Sequence, residues 1–132
     1  MAKKNIATFL GPNQGLSIVG NHAYALSGKI ETGAQSTPIT MLEFVTGQSY
    51  IRTKIVLQHT ENTTDDILFE IKFNGELILA HLGSRVDLSV ISTNYLPVIM
   101  PPHTHVLITC QNESGATTRD TYATIEGRVY DA

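Results

Sequence analysis

The run Ile67-Leu68-Phe69-Glu70-Ile71-Lys72-Phe73, followed by Asn74-Gly75 and then Glu76-Leu77-Ile78-Leu79-Ala80, constrains the fold more than any other part of the chain. Successive side chains of a strand point to opposite faces, and here Ile67, Phe69, Ile71 and Phe73 fall on one side while Glu70 and Lys72 fall on the other. Asn-Gly supplies the two positive φ angles of a type I′ turn. The segment predicts a β-hairpin.

The same period of two recurs along the chain. Tyr24, Leu26, Gly28 and Ile30 alternate with Ala25, Ser27, Lys29 and Glu31, and Ile39 to Val45 is apolar on both faces except at Thr40 and Glu43. Ile51, Thr53, Ile55, Leu57 and His59 share one face opposite Arg52, Lys54 and Gln58. Residues 81–94 fit a short strand through Val86, Leu88, Val90 and Ile91, and Pro97, Pro101 and Pro102 place Tyr95 to Met100 at a sheet edge or bend. His105 to Gln111 and Tyr122 to Tyr130 complete the series. About eight strands with turn signals between them and no convincing helix predict an all-β sandwich, and the count favours an eight-stranded jelly-roll-like arrangement. The domain expected is 21–132. Residues 1–20, with Ile6, Phe9, Leu10 and Leu16 broken by Gly11-Pro12, Gly15 and Gly20, are expected to form an extended N-terminal arm.

Composition narrows the function classes. A chain of 132 residues fits one domain, and charged residues at 16% fall below the usual share of about a quarter. A surface short of charge and rich in Thr, Ser, Asn and Gln suits contact with other protein. The net charge is −3 and the basic residues are scattered, so nucleic acid is not an expected partner. Asn5, Thr8 and Pro12 interrupt any apolar leader, and no run reaches the length of a membrane span, so neither a cleaved secretory signal nor a membrane anchor is expected.

Candidate chemistry is sparse. His103-x-His105 puts two imidazoles on one side of a strand, a metal-binding spacing, but Thr109 and Cys110 stand where a cupin-type site needs its carboxylate. Glu61, Asp65 and Asp66 form an acidic loop without the glycine and spacing of a calcium loop. Cys110 is the sole cysteine and sits in the apolar alternation Val106, Ile108, Cys110, the pattern of a buried small hydrophobe. No nucleophile elbow, phosphate loop or dinucleotide fingerprint occurs, and the expectation is a protein that is not an enzyme, without cofactor or metal. Tyr24, Tyr50, Tyr95, Tyr122 and Tyr130 are the candidate contact residues, because tyrosine joins a rigid apolar body to a polar tip.

One resemblance rests on the C-terminal third. Leu96-Pro97-Val98-Ile99-Met100-Pro101-Pro102 leads into the strand His105-Val106-Leu107-Ile108-Thr109, then into the loop Asn112-Glu113-Ser114-Gly115-Ala116 and the last strand Ala123 to Tyr130. This resembles small jelly-roll structural proteins of tailed bacteriophages, including capsid decoration or cement proteins. The resemblance implies a homotrimer on the capsid surface of a virion made in the host cytoplasm. It would bind the major capsid protein and stabilise the assembled shell. Within that reading, Ile6, Phe9, Leu10 and Leu16 of the arm would be buried on a neighbouring subunit, and Tyr95, Tyr122 and Tyr130 would be possible interface residues. The alternative is a receptor- or carbohydrate-binding jelly roll of a phage spike or fibre, using Tyr50, Tyr95, Asp65 and Asp66.

Overall fold

The computed structural model describes residues 8–9, 15–32, 37–59, 66–83, 95–113 and 118–130. Eleven strands lie in that part of the chain: β1 (Thr8–Phe9), β2 (Ser17–Val19), β3 (His22–Leu26), β4 (Ile30–Glu31), β5 (Ile39–Val45), β6 (Tyr50–His59), β7 (Ile67–Phe73), β8 (Glu76–Gly83), β9 (Leu96–Met100), β10 (His105–Asn112) and β11 (Asp120–Tyr130). No helix among the described residues is long and apolar enough to cross a membrane.

The strands form two antiparallel sheets in a sandwich-like arrangement. One sheet has the order β1-β5-β10-β7-β8; the other has β2-β3-β11-β6-β9, with β4 also paired to β11. Their inward faces supply one core, in which Phe44, Phe69, Ile71 and Ile108 come from the first sheet and Ile51, Ile55, Met100 and Ile125 from the second. Fully burying each such side chain contributes about 1.5–3 kcal/mol.

The hairpin forms as the alternation requires. Ile67, Phe69 and Ile71 are buried, and Asn74 and Gly75 both have positive φ, 52° and 84°. Phe73 faces Glu76 across the turn, and a register shift between Ile71 and Lys72 leaves Ile78 as an extra residue on β8. A second shift explains the two-faced apolar run of β5: Leu42 pairs Ile108 and Thr40 pairs Thr109, so Met41 is the bulged residue, and both Met41 and Leu42 point into the core.

The strand count exceeds the expected eight, and the excess has local causes. Eight strands have five residues or more; the other three are β1, β2 and β4. Gly28, at φ 67°, interrupts the run from β3 into β4, and Ser27 bridges the gap by accepting a hydrogen bond from the Ala123 N–H at 2.8 Å. β1 and β2 come from the segment expected to be an arm. The β1 backbone pairs with Phe44 and Val45, β2 pairs with β3, and Leu16 is 6% exposed within the core of its own chain. Leu16 therefore differs from the expectation of burial on a neighbour: its apolar side chain is already covered at home. Ile6 and Leu10 lie outside the described residues, as do 84–94, where the weakest strand expectation fell.

Candidate binding face

The outer face of the sheet β2-β3-β11-β6-β9 collects the chain's unusual surface chemistry. Along β11 the inward residues Thr121, Ala123, Ile125 and Val129 are buried, so Tyr122, Thr124, Glu126, Arg128 and Tyr130 point outward. Along β6 the buried Ile51, Thr53 and Ile55 send Tyr50, Arg52 and Lys54 outward, and on β3 Ala23 and Ala25 do the same for His22, Tyr24 and Leu26. The register then fixes neighbours. Tyr130 is opposite Tyr50, Arg128 lies between Arg52 and His22, Glu126 lies between Lys54 and Tyr24, and Tyr122 is opposite Gln58.

Tyr95, the residue before β9, joins the same surface through Lys54, whose ammonium sits 4.9 Å from the Tyr95 ring centroid. The Arg128 guanidinium lies 5.8 Å from the Tyr130 ring. All five tyrosines of the chain thus meet on one face, including Tyr95, Tyr122 and Tyr130, which the sequence singles out. Tyr122 is half-buried and the other four are exposed.

A groove of about 690 Å³ crosses this face, with His22, Arg52, Lys54, Tyr95, Arg128 and Tyr130 among its walls. Three permanent cations converge there with one carboxylate, Glu126. Among the described residues no carboxylate lies within 4.0 Å of either Arg52 or Arg128. The floor includes Gly127, where an added Cβ would lie 2.6 Å from the Arg52 carbonyl oxygen; the missing side chain lets β6 and β11 close up beneath the two arginines. Thr53, buried below Arg52 and Lys54, donates its hydroxyl to the Val98 carbonyl at 2.7 Å and ties β9 to the platform.

The exposed large apolar residues follow the same asymmetry. Among the described residues Val19, Tyr24, Leu26, Tyr50, Tyr95, Ile99 and Tyr130 belong to the strands of this sheet or their ends, and the other two, Leu77 and Ile78, are on β8 at the end of the other sheet. Residue order along the chain did not reveal the arginine pair. Arg52 and Arg128 are far apart in sequence, and only the β6–β11 register joins them.

The other candidates are placed elsewhere. His103 is exposed in a turn at φ 53°, held by its N–H donating to the Gly47 carbonyl at 2.8 Å, while His105 Nε2 lies 2.8 Å from Glu43 Oε2. The His-x-His pair is thus divided, His103 lying in a turn and His105 hydrogen-bonded to Glu43. Among the described residues no three His, Cys, Asp or Glu side chains are grouped so as to hold a metal ion. Cys110 is buried; burial pushes its thiol above its ordinary value, offset in part by the hydrogen bond with Thr121 at 3.5 Å. Glu61 and Asp65 lie outside the described residues, and the Asp66 carbonyl accepts the Glu113 N–H at 2.8 Å. Comparison with protein-family models gives no match, and comparison with curated proteins gives none.

Proposed function

We propose that this chain is a shell-binding structural protein of a tailed phage, a capsid decoration or cement protein that docks on assembled major capsid protein. The observation that carries the proposal is the gathering of five tyrosines and two arginines on the outer face of one sheet. Tyrosine and arginine are the residue types enriched in the energetic centres of protein interfaces, where a rigid ring or a planar guanidinium loses little freedom on binding. Strands anchored in a packed core hold that surface in fixed geometry, so docking requires little ordering of the chain.

The jelly-roll reading is supported by the order of the eight long strands, β3-β11-β6-β9 against β5-β10-β7-β8. A second element of the proposal is homotrimer formation through β8. That strand ends its sheet among the described residues, and Leu77 and Ile78 on it are 52% and 48% exposed. An apolar edge of this kind is a template for association unless another surface covers it. A protein that binds only the assembled shell stabilises it by mass action, and many symmetric copies add their contributions.

Quantitative peptide mass spectrometry of purified particles tests the proposal. The copy number of this chain relative to the most abundant shell protein is expected to be near one or a simple fraction of one. A ratio of a few per hundred would contradict a repeating shell component and favour a spike or fibre.

A further inference from the structure

We infer that the groove over Arg52 and Arg128 is an anion subsite that takes carboxylate side chains of an acidic segment of a partner protein. This deepens the docking proposal and rests on it for the identity of the partner as a protein. Like charges directly opposite on one face of an antiparallel pair oppose folding, so a pairing of two arginines calls for a compensating charge. Within the described part of the chain none is supplied to them at salt-bridge distance. Each planar guanidinium can donate two parallel N–H bonds to a carboxylate; His22 lies beside Arg128 on β3, and Lys54 follows Arg52 by two residues on β6, opposite Glu126.

Two features select the class of anion. The Tyr95 and Tyr130 rings already carry Lys54 and Arg128 at 4.9 Å and 5.8 Å, so these rings serve as apolar backing for cations. A sugar ring stacking on the ring faces that those cations occupy would have to displace them. Glu126, in the same groove, repels the dense negative charge of a polyphosphate, and the chain as a whole carries −3. Spaced single carboxylates, as in Asp- and Glu-rich peptide, satisfy the arginines without crowding Glu126. The protein's mildly negative charge therefore conceals a local positive groove, through which it would distinguish acidic partners from others.

The probe is acetyl-hexaglutamate amide, titrated into the full chain at low ionic strength and followed by the NMR signals of arginine side chains and tyrosine rings. Saturable binding is expected, with shifts at Arg52, Arg128, Tyr95 and Tyr130 and a fall in affinity as salt rises. Arg52→Gln and Arg128→Gln should each weaken it at least tenfold, whereas Lys72→Gln on the opposite sheet should not. Absence of saturable binding, or equal weakening by Lys72→Gln, would overturn the subsite. Tighter binding of trigalacturonate in the same groove would overturn the peptide assignment in favour of an acidic sugar. Co-sedimentation with purified particles separates the two levels of the argument. A chain that takes hexaglutamate but ignores particles removes the docking proposal, while Arg52→Gln and Arg128→Gln variants that still sediment like the parent remove the subsite.

Discussion

Arg52 and Arg128 are direct cross-strand partners, and both project from the outer face of the sheet next to Gly127. The arrangement opposes folding and favours binding. Replacing Arg52 with Gln should leave the free chain as stable as the parent or more stable, by about 0.2–1 kcal/mol at low salt, with the gain shrinking as salt screens the pair. Denaturant titration at two ionic strengths checks this. A loss of stability in the free variant would show that the pair has a structural role.

Gly127 is the position on which this geometry depends most. A Cβ there would meet the Arg52 carbonyl oxygen at 2.6 Å and the Thr53 side chain at 3.0 Å, and the first of these is backbone that cannot swing aside. Gly127→Ala should destabilise the domain by about 1–3 kcal/mol, the usual range for overpacking, and should shift the amide signals of Arg52 and Thr53. Urea unfolding together with an amide spectrum checks both parts.

The buried Cys110 thiol gives a pH dependence of definite sign. Its value is raised in the folded state, chiefly by burial, so between the unfolded thiol's value, about 8.5, and the higher folded one the unfolded chain binds fewer protons than the folded chain. This contribution is complete below the unfolded value and is lost as pH rises through the folded one. The parent should therefore lose stability above about pH 8.5 relative to Cys110→Ala. Thermal melts of both proteins across that interval measure the difference. In the native state Cys110 should also resist alkylation until the chain opens.

The strand β8, which ends its sheet among the described residues, carries the self-association proposal. Changing Leu77 to Lys places a charge in the exposed apolar pair Leu77-Ile78 of this end strand, a common device against edge pairing. Sedimentation velocity should show a trimer for the parent and a monomer for the variant, with unchanged β-sheet circular dichroism. An identical sedimentation coefficient for the two would place the oligomer contact elsewhere.

Much of the fold was legible because a strand writes its two faces into consecutive residues. The hairpin with Asn74-Gly75, the buried alternation of β10 and the edge position of proline-bearing β9 all follow from neighbours in sequence. What local pattern does not carry is the pairing of distant strands. The Arg52–Arg128 pair and the convergence of five tyrosines exist only through the registers of β11 with β6 and β3. Where Leu16 is buried is not legible for a related reason: the glycines around it read as an extended arm, and only the pairing of the adjacent Ser17–Val19 with β3 carries Leu16 into the core. Ile39 to Val45 reads as apolar on both faces except at Thr40 and Glu43, and the bulge that turns both Met41 and Leu42 into the core is not registered by pattern alone.

The most direct test of the central claim is tyrosine footprinting, with the chain modified free in solution and bound to purified particles and each site read by mass spectrometry. Docking through the outer face of the β2-β3-β11-β6-β9 sheet predicts that Tyr24, Tyr95 and Tyr130, exposed in the free chain, become protected together on the particle. Equal modification of these three residues in the free and particle-bound chain would contradict it.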